Sequence, residues 1–328
     1  MKTLVTGGNG FTGSALVLKL LAEGHQVRSL DYKKGIRYEE LKEAGAEIIL
    51  GSITDKELVE RSTDGVEIVF HLAAAFRELD EPDSFYYDVN VNGTRHVMEA
   101  AVRHNVRKVI YCSTQGVHGH VANPPGDEST PIAPEDYYQQ TKYEGELVVK
   151  EYQDKGINFT IIRPTAIYGP GDPGRFLMLY KWVMKGYFPM FGNGKTYYHP
   201  VYIDNLVDAF LLCMEDEAGS GQTYIIADKE YLSIEELVGK IGEAMDKKVN
   251  IIHLPITPLI IAGHICQGIC KPFKITPPIF PRRVDWYRQI RAFKIDKAKA
   301  ELNYEPRIGI LDGLRQTGKW YLENGYIH

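Results

Sequence analysis

The chain has 328 residues, 44% of them hydrophobic and 25% charged, with 38 Lys and Arg against 43 Asp and Glu for a formal net charge of −5. These values exclude a disordered, collagenous or disulfide-stapled chain and leave no global basic field to hold a nucleic-acid backbone. At this length one large domain that has acquired a second lobe is expected.

The sequence enters a strand at once, TLVTG at 3–7, followed by a helix over 12–23. HQVRSLD then leads into a helix around 37–44, AEIILG into 55–62, EIVFHLA into 85–104, and KVIYCST ends at Thr114. Strands alternating with crossover helices predict an α/β fold of Rossmann type, a doubly wound parallel sheet with helices on both faces. A helix over 138–152 precedes the strand NFTIIRP, and HPVYIDN, QTYIIAD and VNIIHLP are later strand candidates. Helices near 174–185, 204–214, 233–246 and 311–323 lie among them. Pro and Gly cluster at 119–134, 164–174 and 186–200, the composition of loops around a site. The predicted division is a nucleotide-binding domain of 1–164 plus 199–227, and an interleaved, smaller C-terminal α/β substrate lobe of 165–198 plus 228–328.

Cys112, Cys213, Cys266 and Cys270 form neither a CxxC pair nor a zinc spacing, so reduced thiols, a cytoplasmic location and no metal site are expected. The opening strand leaves no room for an export signal. Residues 251–280 are apolar but broken by Pro255, Pro258, His264, Lys271 and Pro272, short of the ~18 uninterrupted apolar residues of a spanning helix. This stretch reads as a packed helix pair of the small lobe, a cover for a hydrophobic substrate, or a surface that touches a membrane.

Gly7, Gly10 and Gly13 in TGGNGFTG follow a strand and open a helix. A tight turn needs a residue that tolerates positive φ, and close approach of backbone amides to a pyrophosphate leaves no space for a side chain. The strand-before, helix-after context favours dinucleotide binding over a plain tight turn. Eighteen residues beyond Gly13, Asp31 ends the next strand, where a carboxylate accepts ribose hydroxyls and repels a 2′-phosphate, which favours NAD over NADP. A strand-terminal Asp on a turn is the blander reading, and Lys33 and Lys34 could instead meet a phosphate.

Thr114 lies at the carboxyl edge of the sheet, where doubly wound folds bind ligands. Tyr138 and Lys142 stand four apart, on one face of a helix. Such a Tyr acts as general acid or base when an adjacent ammonium lowers its pKa, with the Thr114 hydroxyl orienting the substrate oxygen. Tyr38 and Lys42 share the spacing but follow no hydroxyl-bearing strand end and read as an exposed helical pair.

With these residues in order the chain resembles the extended short-chain dehydrogenase/reductase family, which includes the NAD-dependent epimerases and dehydratases and a 3β-hydroxysteroid dehydrogenase-like branch. The resemblance spans nearly the whole chain: TGGNGFTG at 6–13, Asp31, HLAAA at 71–75, NVNGT at 90–94, CSTQGVHG at 112–119, YQQTK at 138–142, RPTAIYGPG at 163–171 and VYIDN at 201–205. It implies an NAD-binding core, a Thr114, Tyr138 and Lys142 catalytic set, and a homodimer through the helices near 85–104 and 138–152. It further implies that Lys142 holds the nicotinamide ribose, that Phe11 and Leu72 contact the cofactor, and that Ala73 and Ala74 line its channel, with Pro164 and Ile167 bordering the nicotinamide. One departure stands out, since the family's adenine-contacting Asp and apolar pair reads Ser52 and Ile53 here, and a hydroxyl is a weaker acceptor than a carboxylate.

Within the family, the acid pair that follows the catalytic Thr in sugar-nucleotide 4,6-dehydratases is replaced by Gln115 and Gly116, against dehydration. Nucleotide-sugar epimerases place an Asn at the position of Ala166 and an Arg in the stretch matching GKTYYHPVY, and both are missing here. RPTAIYGPGD and HPVYIDN instead resemble the 3β-hydroxysteroid dehydrogenase branch. The expected activity is therefore NAD-dependent interconversion of a secondary alcohol and a ketone on a sterol-like or other apolar small molecule. The alternative is a nucleotide-sugar 4-epimerase with retained NAD, for which Arg282, Arg283, Arg288 and Arg291 would hold a diphosphate unless they form only a solvated basic face. Phe176, Leu177, Tyr180 and Met184 recur at helical spacing, as core residues do, and His118 is either structural or a shaper of the substrate pocket.

Overall fold

The computed structural model describes residues 1–76, 81–172, 174–215, 219–270 and 284–328. Six strands form in chain order: β1 (Lys2–Thr6), β2 (Gln26–Asp31), β3 (Glu47–Leu50), β4 (Ile68–His71), β5 (Lys108–Cys112) and β6 (Asn158–Pro164). Four short strands follow, β7 (Ala166–Tyr168), β8 (Tyr187–Phe191), β9 (Tyr197–Tyr198) and β10 (Pro200–Tyr202), before β11 (Gln222–Ile226) returns to the main sheet. The seven-stranded parallel sheet runs β11-β6-β5-β4-β1-β2-β3. Its winding reverses between β1 and β4, which pair with Thr6 opposite His71, so the exits of these two strands open the crevice where such sheets take ligands.

Burial on both faces explains the continuous apolar runs in these strands. Val5, Phe70, Ile110 and Ile162 enter one core, while their neighbours Leu4, Val69, Val109 and Ile161 enter the other. The crossover helices are α1 (Phe11–Ala22), α2 (Tyr38–Glu43), α3 (Lys56–Thr63), α4 (Asp83–Tyr87) with α5 (Thr94–Arg103), and α6 (Tyr137–Glu151). The helix expected over 85–104 is not uniform, because a π-helical turn at Asp88–Gly93 joins α4 to α5. Widened turns of this kind relax the helical ladder and redirect side chains at functional sites. Here the turn carries Asn90, whose amide oxygen accepts the Ala75 N–H at 2.8 Å and whose Nδ2 donates to the Thr141 hydroxyl at 2.9 Å.

The remaining helices are α7 (Arg175–Met184), α8 (Ile203–Glu215) and α9 (Ile234–Ala244). Then come strands β12 (Leu232–Ser233) and β13 (Asn250–Leu254) and helices α10 (Ile256–Cys270), α11 (Asp296–Leu302) and α12 (Ile310–Glu323). The small strands pair as β7 with β10, β8 with β13 and β9 with β12. Asp228, just past β11, ties this region to the sheet by accepting the Tyr202 N–H at 2.9 Å and Asn205 Nδ2 at 2.8 Å, and burial pushes its carboxyl up to about 6. Leu177 and Tyr180 are core residues of α7, as their spacing predicts. In α10 only Gly263 is buried, and among the described residues no helix is long and apolar enough to cross a membrane.

Candidate active site

The glycine turn is shaped by what it touches. Gly7 takes φ +71°, and a Cβ there would lie 2.7 Å from the Ala73 nitrogen, while one on Gly13 would lie 2.0 Å from the Gly7 carbonyl oxygen. The turn is therefore pressed flat against the exit of β4 and the start of α1. Gly10 caps α1 with no side chain on its amides, so the positive end of a twelve-residue helix faces the crevice.

Asp31 supports this turn from below. Its carboxylate accepts the Asn9 N–H at 3.1 Å and the Lys33 N–H at 3.3 Å, and burial raises its pKa against those hydrogen bonds. Asn9 completes the lacing, since its Nδ2 donates to the Lys33 carbonyl at 3.0 Å and its Oδ1 accepts the Ser29 hydroxyl at 2.8 Å. Asn9 carries no signal in the sequence beyond its place between two glycines.

Thr114 follows β5, and its Oγ accepts the Gly116 N–H at 3.0 Å, which leaves its own O–H to donate elsewhere. Asp136 caps α6 by accepting the Gln139 N–H at 2.9 Å and so fixes the helix that carries Tyr138 and Lys142. Lys142 is 1% exposed, with Nζ 4.1 Å over the Tyr111 ring and in hydrogen-bond contact with no group among the described residues. Burial pulls its pKa down to about 8, while Cys112 and Glu146 oppose the fall. Tyr138 is half-buried, its ring 4.9 Å from that of Phe76.

Two buried networks hold these elements. His71 bridges Thr6 and Thr94, at 2.7 and 2.9 Å. Because the Thr94 hydroxyl donates to the Asn90 carbonyl at 2.7 Å, it accepts from His71 Nε2–H, and Nδ1 accepts from the Thr6 hydroxyl. Thr6 Oγ in turn accepts the Ala73 N–H at 3.2 Å, and burial drives the His71 pKa down to about 3, keeping the ring neutral. In the second network Glu146 receives Arg163 Nε at 2.8 Å, Arg163 Nη2 at 2.5 Å and the Ser113 hydroxyl at 2.5 Å. His118 accepts from Arg163 Nη1 at 3.0 Å and donates to the Thr130 carbonyl at 2.8 Å, so it is a structural link and does not line the cleft.

One cleft of about 600 Å³ collects Gly7, Gly10, Phe11, Leu72, Ala74, Thr114, Tyr138, Lys142, Pro164 and Ile167. Ala73 contributes backbone beneath the glycine turn. Asp31, Ser52 and Ile53 do not line this cleft. Ser52 hydrogen-bonds Thr54 at 2.8 Å, and Ile53 is buried with its carbonyl accepting from His96 Nδ1 at 3.1 Å. Of the four arginines, Arg291 lines the cleft and Arg288 is exposed away from it, while Arg282 and Arg283 lie outside the described residues. The cleft is also lined by Gln289, by Phe76 beside Tyr138, and by an aromatic cluster in which Tyr198 meets Phe176 at 6.3 Å and Trp286 at 5.9 Å. Trp286 and Gln289 come from a segment with no periodicity or motif to announce them, and Phe176 serves both core and wall.

The residues present fit a dinucleotide. The glycine turn leaves a cradle that a Cβ would fill, and the buried Lys142 ammonium has an unmet need for acceptors of the kind ribose hydroxyls supply.

The model of the NAD dependent epimerase/dehydratase family matches residues 3–227. N-acetyl-alpha-D-glucosaminyl-diphospho-ditrans,octacis-undecaprenol 4-epimerase of Escherichia coli O157:H7 is 32% identical over 276 residues, 83% of this chain and 80% of that protein. The 3 beta-hydroxysteroid dehydrogenase/Delta 5-->4-isomerase of Mycobacterium tuberculosis is 29% identical, over 98% of this chain and 90% of its own length. Among solved structures, dTDP-glucose 4,6-dehydratase from Streptomyces venezuelae with NAD and TYD bound superposes with a TM-score of 0.79 at 26% identity, covering 100% of this chain and 99% of that one.

Proposed function

We propose, for a chain that belongs to the NAD-dependent epimerase/dehydratase family and uses NAD, that it interconverts a secondary alcohol and a ketone on an apolar small molecule. The observation that carries this reading is the convergence of Thr114, Tyr138 and Lys142 with the glycine turn on one cleft that Phe76, Phe176, Tyr198 and Trp286 also line. The core of 1–164 plus 199–227 holds the cofactor and the interleaved lobe selects the substrate. Gly7, Gly10 and Phe11 hold the pyrophosphate end, Asp31 the adenosine ribose, and Ser52 and Ile53 the adenine. Leu72, Ala73 and Ala74 line the channel, and Pro164 and Ile167 border the nicotinamide. When bound, NAD supplies the two-electron acceptor or donor for the reaction.

In the oxidative direction Tyr138 removes the hydroxyl proton of the substrate and in the reverse direction returns it. Lys142, one helical turn away, favours the phenolate through its charge and holds the ribose by hydrogen bonds. Thr114 donates its free O–H to the substrate oxygen and fixes the angle of approach. Phe76, Phe176, Tyr198 and Trp286 exclude water and favour a sterol-like or other apolar substrate. The chain works as a cytoplasmic homodimer packed through the helices near 85–104 and 138–152.

A second reading, a nucleotide-sugar 4-epimerase with retained NAD, is favoured by Arg291, which lines the same cleft and whose guanidinium, 3.7 Å from the Glu135 carboxylate, is of the kind that suits a diphosphate. Tyr138→Phe tests both readings, because turnover should fall by about 10²–10⁴-fold while NAD affinity stays within a few-fold. Unchanged turnover would remove Tyr138 from the chemistry. The wild-type product then separates them: NADH accumulating with hydroxysteroids or other apolar alcohols supports the dehydrogenase, and C4-inverted UDP-sugar with no net NADH supports the epimerase.

A further inference from the structure

Helix α10 breaks the usual rule for a surface helix. Ile261, Ile265 and Ile269 are 54%, 57% and 61% exposed and recur every four residues, so they form one stripe along the helix. Pro258 and Ala262 extend that stripe, and Ile252 and Leu254 of the preceding β13 are exposed as well. The fifteen residues of α10 include no Lys, Arg, Asp or Glu. A contiguous apolar face of this kind marks a surface that meets something other than water.

The charge around it says what that is. Between Asp246 and Asp285 the sequence holds six Lys and Arg and no acidic residue, although the chain as a whole carries −5. Lys247 and Lys248, exposed just before β13, are the described members of this group, and the exposed His253 and His264 add polar tips that sit well at a headgroup boundary. An apolar stripe in a stretch of sequence that carries cations and no acid from 247 to 284 is complementary to an anionic lipid surface, which offers acyl chains to the stripe and phosphates to Lys247 and Lys248, even though Glu235 stands 3.7 Å from His253. A fifteen-residue helix reaches only ~22 Å, too short for the ~30 Å hydrocarbon core, so it lies in the plane of the interface and does not cross. We infer that α10 with the end of β13 is an interfacial anchor through which this enzyme docks reversibly on an anionic bilayer. The docked surface belongs to the same part of the chain as Trp286, Gln289 and Arg291 of the cleft wall, which follow it in sequence.

The test uses the full-length protein, loaded with NAD, and sedimentation with vesicles of phosphatidylcholine alone or mixed with phosphatidylglycerol. The wild type should sediment with the anionic vesicles, less with the neutral ones, and less as salt rises. Combined Ile261→Ser, Ile265→Ser and Ile269→Ser should lower partitioning by roughly 100-fold with an unchanged thermal midpoint. Lys247→Glu with Lys248→Glu should weaken binding to anionic vesicles alone. Absence of wild-type sedimentation overturns the inference, as does a triple variant that binds equally well. A thermal midpoint lowered by the serines, without wild-type vesicle binding, would show that the stripe is covered by this chain. A wild-type oligomer that the serines dissociate, again without vesicle binding, would assign the stripe to a second copy.

Discussion

The sharpest physical consequence of the site concerns the stability of the protein without its nucleotide. Lys142 is fully buried, and carrying its charge there lowers its pKa from 10.5 to about 8. That fall corresponds to a folding penalty of about 3 kcal/mol at neutral pH. The contact with the Tyr111 ring at 4.1 Å, lost on removing the charge, offsets up to about 2 kcal/mol. Methionine keeps the length and volume of the stem, so Lys142→Met should stabilise the nucleotide-free protein by about 1–3 kcal/mol at pH 7. The sign with pH follows from the folded pKa lying below the unfolded one: from about pH 8 to 10.5 the unfolded chain binds more protons, and wild-type stability rises. The variant lacks that rise, and its advantage should shrink to nothing by the top of the window. Urea unfolding of nucleotide-free wild type and variant at pH 7 and pH 10.5 measures both effects. A variant that is less stable at pH 7, or a gain that ignores pH, would refute the reasoning. With saturating NAD the order should reverse, since only the wild type gains the full stabilisation of ligand binding.

Three further substitutions examine the framework. Gly13→Ala forces a Cβ to within 2.0 Å of the Gly7 carbonyl, so the turn must shift, with NAD affinity by calorimetry falling about 100-fold and stability falling by about 1–3 kcal/mol. Wild-type affinity in this variant would mean that the turn does not hold the pyrophosphate. Asp31→Ala removes the carboxylate that repels a 2′-phosphate, and the ratio of NAD to NADP affinity should drop by about tenfold or more; an unchanged ratio would confine Asp31 to supporting Asn9. Glu146→Ala strands the Arg163 guanidinium in the interior and should cost about 3–5 kcal/mol in urea unfolding, with most of the loss recovered in Glu146→Met combined with Arg163→Met.

What the sequence reveals and conceals divides along physical lines. The glycine turn, Asp31 and the Tyr138 and Lys142 pair are legible because each depends on local geometry: a positive φ, a strand end, one helical turn. The parallel sheet with helices on both faces follows from the alternation of strands with helices, whereas its order, with the reversal between β1 and β4, is not written in that alternation. The π-helical turn at Asp88–Gly93 is not legible, because it exists to satisfy contacts of Asn90 with Ala75 and Thr141 that are distant in sequence. The same holds for Glu146, Arg163 and His118, which are close only after α6 docks on β5 and β6. The cleft wall of Tyr198, Trp286, Gln289 and Arg291 draws on separate excursions of the chain, held in part by Arg291 N–H on the Tyr197 carbonyl at 3.1 Å. No periodicity records such a meeting.

These two classes of residue are coupled, and the coupling explains how an unfavourable lysine is kept in place. From the Ala73 N–H through Thr6, His71 and Thr94 to the Asn90 carbonyl, every group donates forward to the next, a directed chain with no choice of orientation left once His71 is neutral. It begins at the backbone that presses on Gly7 and ends on the π turn, whose Asn90 side chain grips Thr141, the residue before Lys142. The glycine turn and the ammonium are thus positioned by one hydrogen-bonded path across the switch point of the sheet. Such a path is costly to break at any member, because a buried donor or acceptor would be left unpaired. That cost is what lets the fold keep Lys142 buried with its ammonium in hydrogen-bond contact with no group among the described residues.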